Sequence, residues 1–141
     1  MVAWRFLDYW PREGFNPMRV WEATQDDDVR ARLDAVLDVL AQTENWLDPN
    51  VKGLFRLLDR AEAGLGEIVF ETSYTQEGRK KKSGRKFRVF VELRVDEHDC
   101  VMFVGSEKQR GTYSPPDAPR LAYEYLRALK KDGEGFTDGH I

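Results

Sequence analysis

The residues of this chain best suited to chemistry are cations gathered in one stretch. Between Arg79 and Arg110 stand ten basic residues, Arg79, Lys80, Lys81, Lys82, Arg85, Lys86, Arg88, Arg94, Lys108 and Arg110, against five acidic ones, Glu92, Asp96, Glu97, Asp99 and Glu107. That window is +5, while the rest of the chain, with 12 basic and 20 acidic residues, is −8. A basic segment on an otherwise acidic protein attracts a polyanion locally. The run RKKKSGRK has no aromatic side chain, so it suits attraction to phosphates and not stacking on bases; a merely solvated loop is the plainer reading of such a run. Downstream, GSEKQRGTY places Lys108 and Arg110 near Tyr113 in what reads as a polar strand-to-helix connection.

Other catalytic plans lack their residues. His98 and His140 are the two histidines and Cys100 is the one cysteine among 141 residues. This argues against a Cys2His2 site, a histidine-rich metal centre and a Cys–His nucleophile pair, and an intramolecular disulfide is impossible. No Walker-A loop is present, and Asp48, Glu67 and Glu71 have no spacing that demands a catalytic carboxylate pair. No metal and no cofactor is expected. His98 reads as an exposed turn residue and Cys100 as a small buried hydrophobe. The absence of a basic-then-apolar leader or a long apolar run points to a soluble, cytoplasmic protein with no membrane partner.

The elements that must position these cations follow from periodicity. One domain is expected over residues 1–131, with 132–141 a frayed tail. The stretch from Val2 to Tyr9 reads as a strand, and a weak helical turn covers Met18 to Ala23. Val29, Leu33, Val36, Leu37 and Leu40 form the stripe of an amphipathic helix, with Thr24 or Asp26 as its N-cap. Asp48-Pro49 reads as the start of a second helix, carrying Val51, Leu54, Phe55 and Leu58 and running to about Ala61; the two would pack as a helical hairpin.

The period then changes to two. GEIVFETSY puts Ile68, Phe70, Thr72 and Tyr74 on one face, and KFRVFVELRV puts Phe87, Val89, Val91, Leu93 and Val95 on one face. The opposite face of the latter carries Lys86, Arg88, Phe90, Glu92 and Arg94. For Arg88 taken alone, an ion pair outweighs a phosphate contact. A turn at Asp96 to Asp99 leads to the strand CVMFVG, and Thr75 to Arg85 reads as a long loop. A last helix begins near Asp117, with Ala118, Ala122, Tyr125 and Leu129 inward. Trp4, Trp10, Trp21 and Trp46 read as core. The expected class is α+β, with the helices on one face of a small antiparallel sheet.

The order of these elements, together with NPMRVWEATQDDDVRARL, WLDPNVKGL, AGLGEIVFE, FRVFVEL and VMFVGSEKQR, resembles the RelE/ParE toxin superfamily, particularly its phage-derived HigB-like branch. The resemblance spans Trp4 to Leu129. It implies a RelE-like fold and a toxin that cleaves mRNA without a metal, commonly on the ribosome, and that a cognate antitoxin holds inactive. In such enzymes the substrate's 2′-OH attacks the adjacent phosphate while basic and polar side chains stabilise the developing charge. Carried over by position, Arg88, Lys108 and Tyr113 are the catalytic candidates, and Lys80, Lys81, Lys82, Arg85, Lys86 and Arg110 the RNA-binding ones. The chain departs from the family where a basic residue often stands: it has Val69 flanked by Glu67 and Glu71, and also Glu107. A non-cleaving protein that binds nucleic acid or a host protein is therefore the alternative.

Overall fold

A computed structural model describes residues 3–11, 15–47, 53–58, 64–72, 75–77, 80–82 and 84–132. The elements in chain order are β1 (Arg5–Asp8), α1 (Pro17–Ala23), α2 (Asp27–Ala41), β2 (Phe55–Leu57), β3 (Leu65–Glu71), β4 (Thr75–Glu77), β5 (Lys80–Lys82), β6 (Lys86–Arg94), β7 (Asp99–Gln109), β8 (Thr112–Ser114) and α3 (Ala118–Asp132). Six strands form one sheet in the order β1-β7-β6-β3-β2, with β8 pairing β7, while β4 and β5 make a separate two-stranded ribbon.

The expected RelE-like arrangement of an antiparallel sheet against an N-terminal helical hairpin is not the one found. The residues assigned to the hairpin's second arm form an edge strand instead: Phe55, Arg56 and Leu57 pair with Ile68, Glu67 and Gly66. Four apolar residues over two turns do not separate a helix from a strand, and backbone pairing with β3 settles the segment. The rest of that proposed helix, 48–52 and 59–61, lies outside the described residues, as do Tyr74 and 133–141 of the tail. The sheet is also mixed, because β1 runs parallel to β7.

The helices are not confined to one face. On the first face, α1 and α2 bury Met18, Trp21, Val29, Leu33, Val36, Leu37 and Leu40 against Ile68, Phe70, Phe87, Val89, Val91, Cys100 and Met102. On the second, α3 sets Ala118, Ala122, Leu126 and Leu129 on Leu7, Tyr9, Leu65, Phe90, Val101 and Phe103. Phe90 thus leaves the polar set to which alternation assigned it and becomes core, because a helix covers that part of the sheet. Trp4, Trp21 and Trp46 are buried, but Trp10 is 47% exposed and is not core. Val95, expected inward, is exposed in the turn after β6.

Local chemistry starts the helices as composition suggests. Asp26 caps α2 by accepting from the Val29 N–H at 3.0 Å, with Asp27 and Asp28 in the first turn, where the helix dipole favours anions. Asn16 caps α1 by accepting from the Arg19 N–H, and its Nδ2 donates to the buried Asp8 at 3.0 Å. That bond ties α1 to the end of β1.

Candidate functional site

Strand register decides which cations meet. Residues directly opposite in a ladder share a face and stand about 5 Å apart. Glu71, Lys86, Lys108 and Tyr113 form one such row across β3, β6, β7 and β8. Val69, Arg88 and Ser106 form the next, and Glu67, Phe90 and Val104 the third, with Arg56 of β2 opposite Glu67. All lie on the second face, where Phe90 and Val104 of the third row belong to the core under α3. The catalytic candidates Arg88, Lys108 and Tyr113 and the RNA-binding candidate Lys86 are thereby brought together.

Tyr113 belongs to a strand and not to a loop. GSEKQRGTY was expected to connect β7 to α3, yet β7 runs to Gln109 and turns back into β8. The turn is a two-residue one whose central residues, Arg110 and Gly111, have φ of 45° and 84°. Positive φ at both positions matches the twist of a hairpin, and the glycine supplies one of them without strain. The result sets the Tyr113 ring 5.8 Å from Lys108 Nζ and 5.7 Å from the Phe90 ring. Arg110 is exposed at the turn tip and stands apart from the row.

Arg88 is not a free cation. It is 9% exposed, and its Nε lies 3.4 Å from Oε1 of Glu67, which is wholly buried. Its Nη1 donates to the Phe87 carbonyl at 2.9 Å. Arg56 Nε donates to the same Glu67 Oε1. Among the described residues, Glu67 Oε2 and Arg88 Nε have no hydrogen-bond partner. Glu67 and Arg56 are the site residues that sequence reasoning set aside. The first looked like one unpaired carboxylate among several, and the second was assigned to a helix. Ser106 also escaped notice, although it is fully buried opposite Arg88; the register shift between Phe90 and Val91 brings it there, whereas unbroken alternation carried across the hairpin would set Gly105 opposite Arg88.

Arg85 faces the other way. Its Nε and Nη2 donate to the two Glu107 oxygens at 2.8 and 2.9 Å, its Nη1 reaches Asp26 at 3.3 Å, and its guanidinium lies over Phe87 at 5.1 Å. These hydrogen bonds hold the Glu107 carboxyl below the usual carboxylate range and push the Arg85 guanidinium higher still. Glu107, which stands where a cation was looked for, thus neutralises Arg85 on the first face.

The long loop expected from Thr75 to Arg85 contains structure. Thr75, Gln76 and Glu77 pair with Lys82, Lys81 and Lys80 in an antiparallel ribbon. Its stem is closed by Thr72 and Arg85: the Thr72 N–H donates to the Arg85 carbonyl at 2.9 Å, and the Arg85 N–H to Thr72 Oγ1 at 2.8 Å. Lys80, Lys81 and Lys82 therefore stand on a separate ribbon next to the row, not within it.

Among the described residues no group of three His, Cys, Asp or Glu is placed to hold a metal ion, and no helix is long and apolar enough to cross a membrane. Comparison with protein-family models, with curated proteins and with solved structures finds no match. The three rows, with β2, bring Arg56, Lys86, Arg88 and Lys108 together with Glu67 and Glu71 on the second face, and a phenol stands at the end of the first row. Such a face can attract a phosphodiester backbone, offset charge on its oxygens and present an O–H to it.

Proposed function

We propose that this chain is an mRNA-cleaving toxin whose second sheet face binds the RNA backbone. The observation that supports the reading is the alignment of Lys86, Lys108 and Tyr113 in one cross-strand row with Arg88 in the next. The ribose 2′-oxygen attacks the adjacent phosphorus and the bond to the 5′-oxygen breaks, giving a 2′,3′-cyclic phosphate and a 5′-hydroxyl. The proton of the 2′-OH is transferred, overall, to the departing 5′-oxygen. Lys108 and Arg88 offset the charge that builds on the phosphoryl oxygens, and Tyr113 supplies a phenol for stacking or proton transfer. Lys86 clamps the adjoining phosphate; Lys80, Lys81, Lys82 and Arg110 steer the strand or the ribosome from the rim. A cognate antitoxin is the partner that restrains it.

Induced expression should arrest growth and generate mRNA cuts, and Arg88→Ala should relieve both. Removing one such preorganised donor costs about 100- to 1000-fold in turnover elsewhere. Toxicity unchanged by that substitution refutes the site. A second reading, binding of nucleic acid without cleavage, is favoured by the pairing of Arg88 with Glu67. Steeply salt-dependent RNA binding with no cut product, with or without ribosomes, decides for it.

A further inference from the structure

The Glu67 carboxylate is shared unequally by two arginines. Arg56 donates a hydrogen bond to Oε1 from a largely exposed side chain. Arg88 Nε lies within ion-pair distance of the same oxygen, at 3.4 Å, but makes no hydrogen bond to it. Glu67 Oε2 has no hydrogen-bond partner among the described residues. Burying charges is costly, and a buried pair offsets that cost only when its remaining donors and acceptors are satisfied. The Glu67–Arg88 contact does not meet that condition. An anion that reaches the buried Arg88 Nε therefore breaks no hydrogen bond from Arg88 to Glu67, whereas Glu67 retains a directional bond to Arg56 at the sheet edge.

We propose that Glu67 is an internal anion that occupies Arg88 until an RNA phosphate displaces it, with Arg56 retaining the released carboxylate. Arg88 passes from one oxygen anion to another, and Glu67 acts as a positioning residue that sets the threshold for phosphate entry. The inference rests on the second face being an RNA site. It also gives a role to the acidic strand LGEIVFE: the carboxylate in β3 tunes the neighbouring cation.

The test measures binding of a short single-stranded RNA by fluorescence anisotropy over a series of salt concentrations. The proteins are wild type, Glu67→Gln, Arg88→Met and the double variant. Glu67→Gln should bind at least about threefold more tightly than wild type, within the range of coupling between contacting charged groups, and should have no effect in the Arg88→Met background. Arg88→Met should lower the salt slope by about 0.7, the value for one phosphate contact on a single strand. An equal gain from Glu67→Gln with and without Arg88 is a general charge effect and overturns the exchange. So does no gain from a folded Glu67→Gln protein.

If Glu67→Gln does not fold, Arg56→Met gives Glu67 to Arg88 alone. It should weaken binding by a similar factor only where Arg88 is present; an equal loss in both backgrounds refutes the proposal. Wild-type protein that binds no RNA would remove the functional reading and the exchange together. Binding that depends on Arg88 but shows no coupling to Glu67 would remove the exchange alone.

Discussion

Replacing Gly105 with alanine tests whether the packing of α1 on β7 holds the functional row in place. Gly105 lies between Val104 and Ser106, one residue from the Arg88–Ser106 pair, and a Cβ there would stand 2.2, 2.3 and 2.5 Å from three carbons of the Trp21 indole. Carbon atoms pack comfortably at about 3.5–4.0 Å, so the ring must retreat by more than about 1 Å. It has little room. Trp21 is 7% exposed, meets Phe87 edge-on at 6.2 Å, and belongs to a helix pinned at its start by the bond from Asn16 to Asp8.

Overpacking of this kind costs about 1–3 kcal/mol, and complete expulsion of the indole is bounded by the cost of deleting a buried tryptophan, about 3–5 kcal/mol. We expect Gly105→Ala to destabilise by about 2–4 kcal/mol and to lower the melting temperature by about 6–12 °C for a domain of this size. Urea unfolding followed by far-ultraviolet circular dichroism measures the first and calorimetry the second. In a Trp21→Ala background the same substitution should cost almost nothing, since the obstacle is gone. A loss below about 0.5 kcal/mol, or an undiminished loss without Trp21, refutes the reasoning. Because β7 carries Ser106 and Lys108, RNA affinity should fall in Gly105→Ala and recover in the double variant.

Lys86→Ala and Lys108→Ala should each reduce the salt slope of RNA binding by about 0.7, whereas Arg85→Ala, on the opposite face, should leave it nearly unchanged; an equal effect from all three argues against a face-specific site. Replacing Lys80, Lys81 and Lys82 together should slow association more than it speeds dissociation, as expected of steering charges, and stopped-flow mixing separates the two. Glu107 is held below its ordinary value of 4.5, first by its hydrogen bonds from Arg85, so its stabilising contribution is present above that value and is lost as pH falls through the lower folded one. Wild type should therefore lose more stability on acidification than Glu107→Gln, by an amount of about 0.2–1 kcal/mol because Arg85 is half exposed; parallel stability–pH curves would contradict this.

Several elements were legible because their signal is local. The α2 stripe of Val29, Leu33, Val36, Leu37 and Leu40 is buried as its spacing requires, and Asp26 caps it. The inward set Phe87, Val89 and Val91 and the partners in β3 follow from alternation alone. Phe55 to Leu57 was misread because its side chains satisfy two periods at once, and only the neighbouring strand breaks the tie. The hairpin after β7 was missed because Arg110-Gly111 lacks the Asn-Gly or Asp-Gly pair that usually marks such a turn.

The candidate site divides in the same way. By itself, the sequence determined that this protein concentrates its positive charge between Arg79 and Arg110 and lacks the histidines and cysteines of several other chemistries, since composition is independent of folding. Only the tertiary structure decided which of those cations belong together. It aligned Lys86 with Lys108 and Tyr113, turned Arg85 to the opposite face against Glu107, and brought Glu67 and Arg56 to Arg88. The physical reason is that charge attracts without direction, whereas a strand's register assigns every second side chain to one face. Whether a cation faces a ligand or an internal carboxylate is therefore fixed by pairing between segments far apart in the chain.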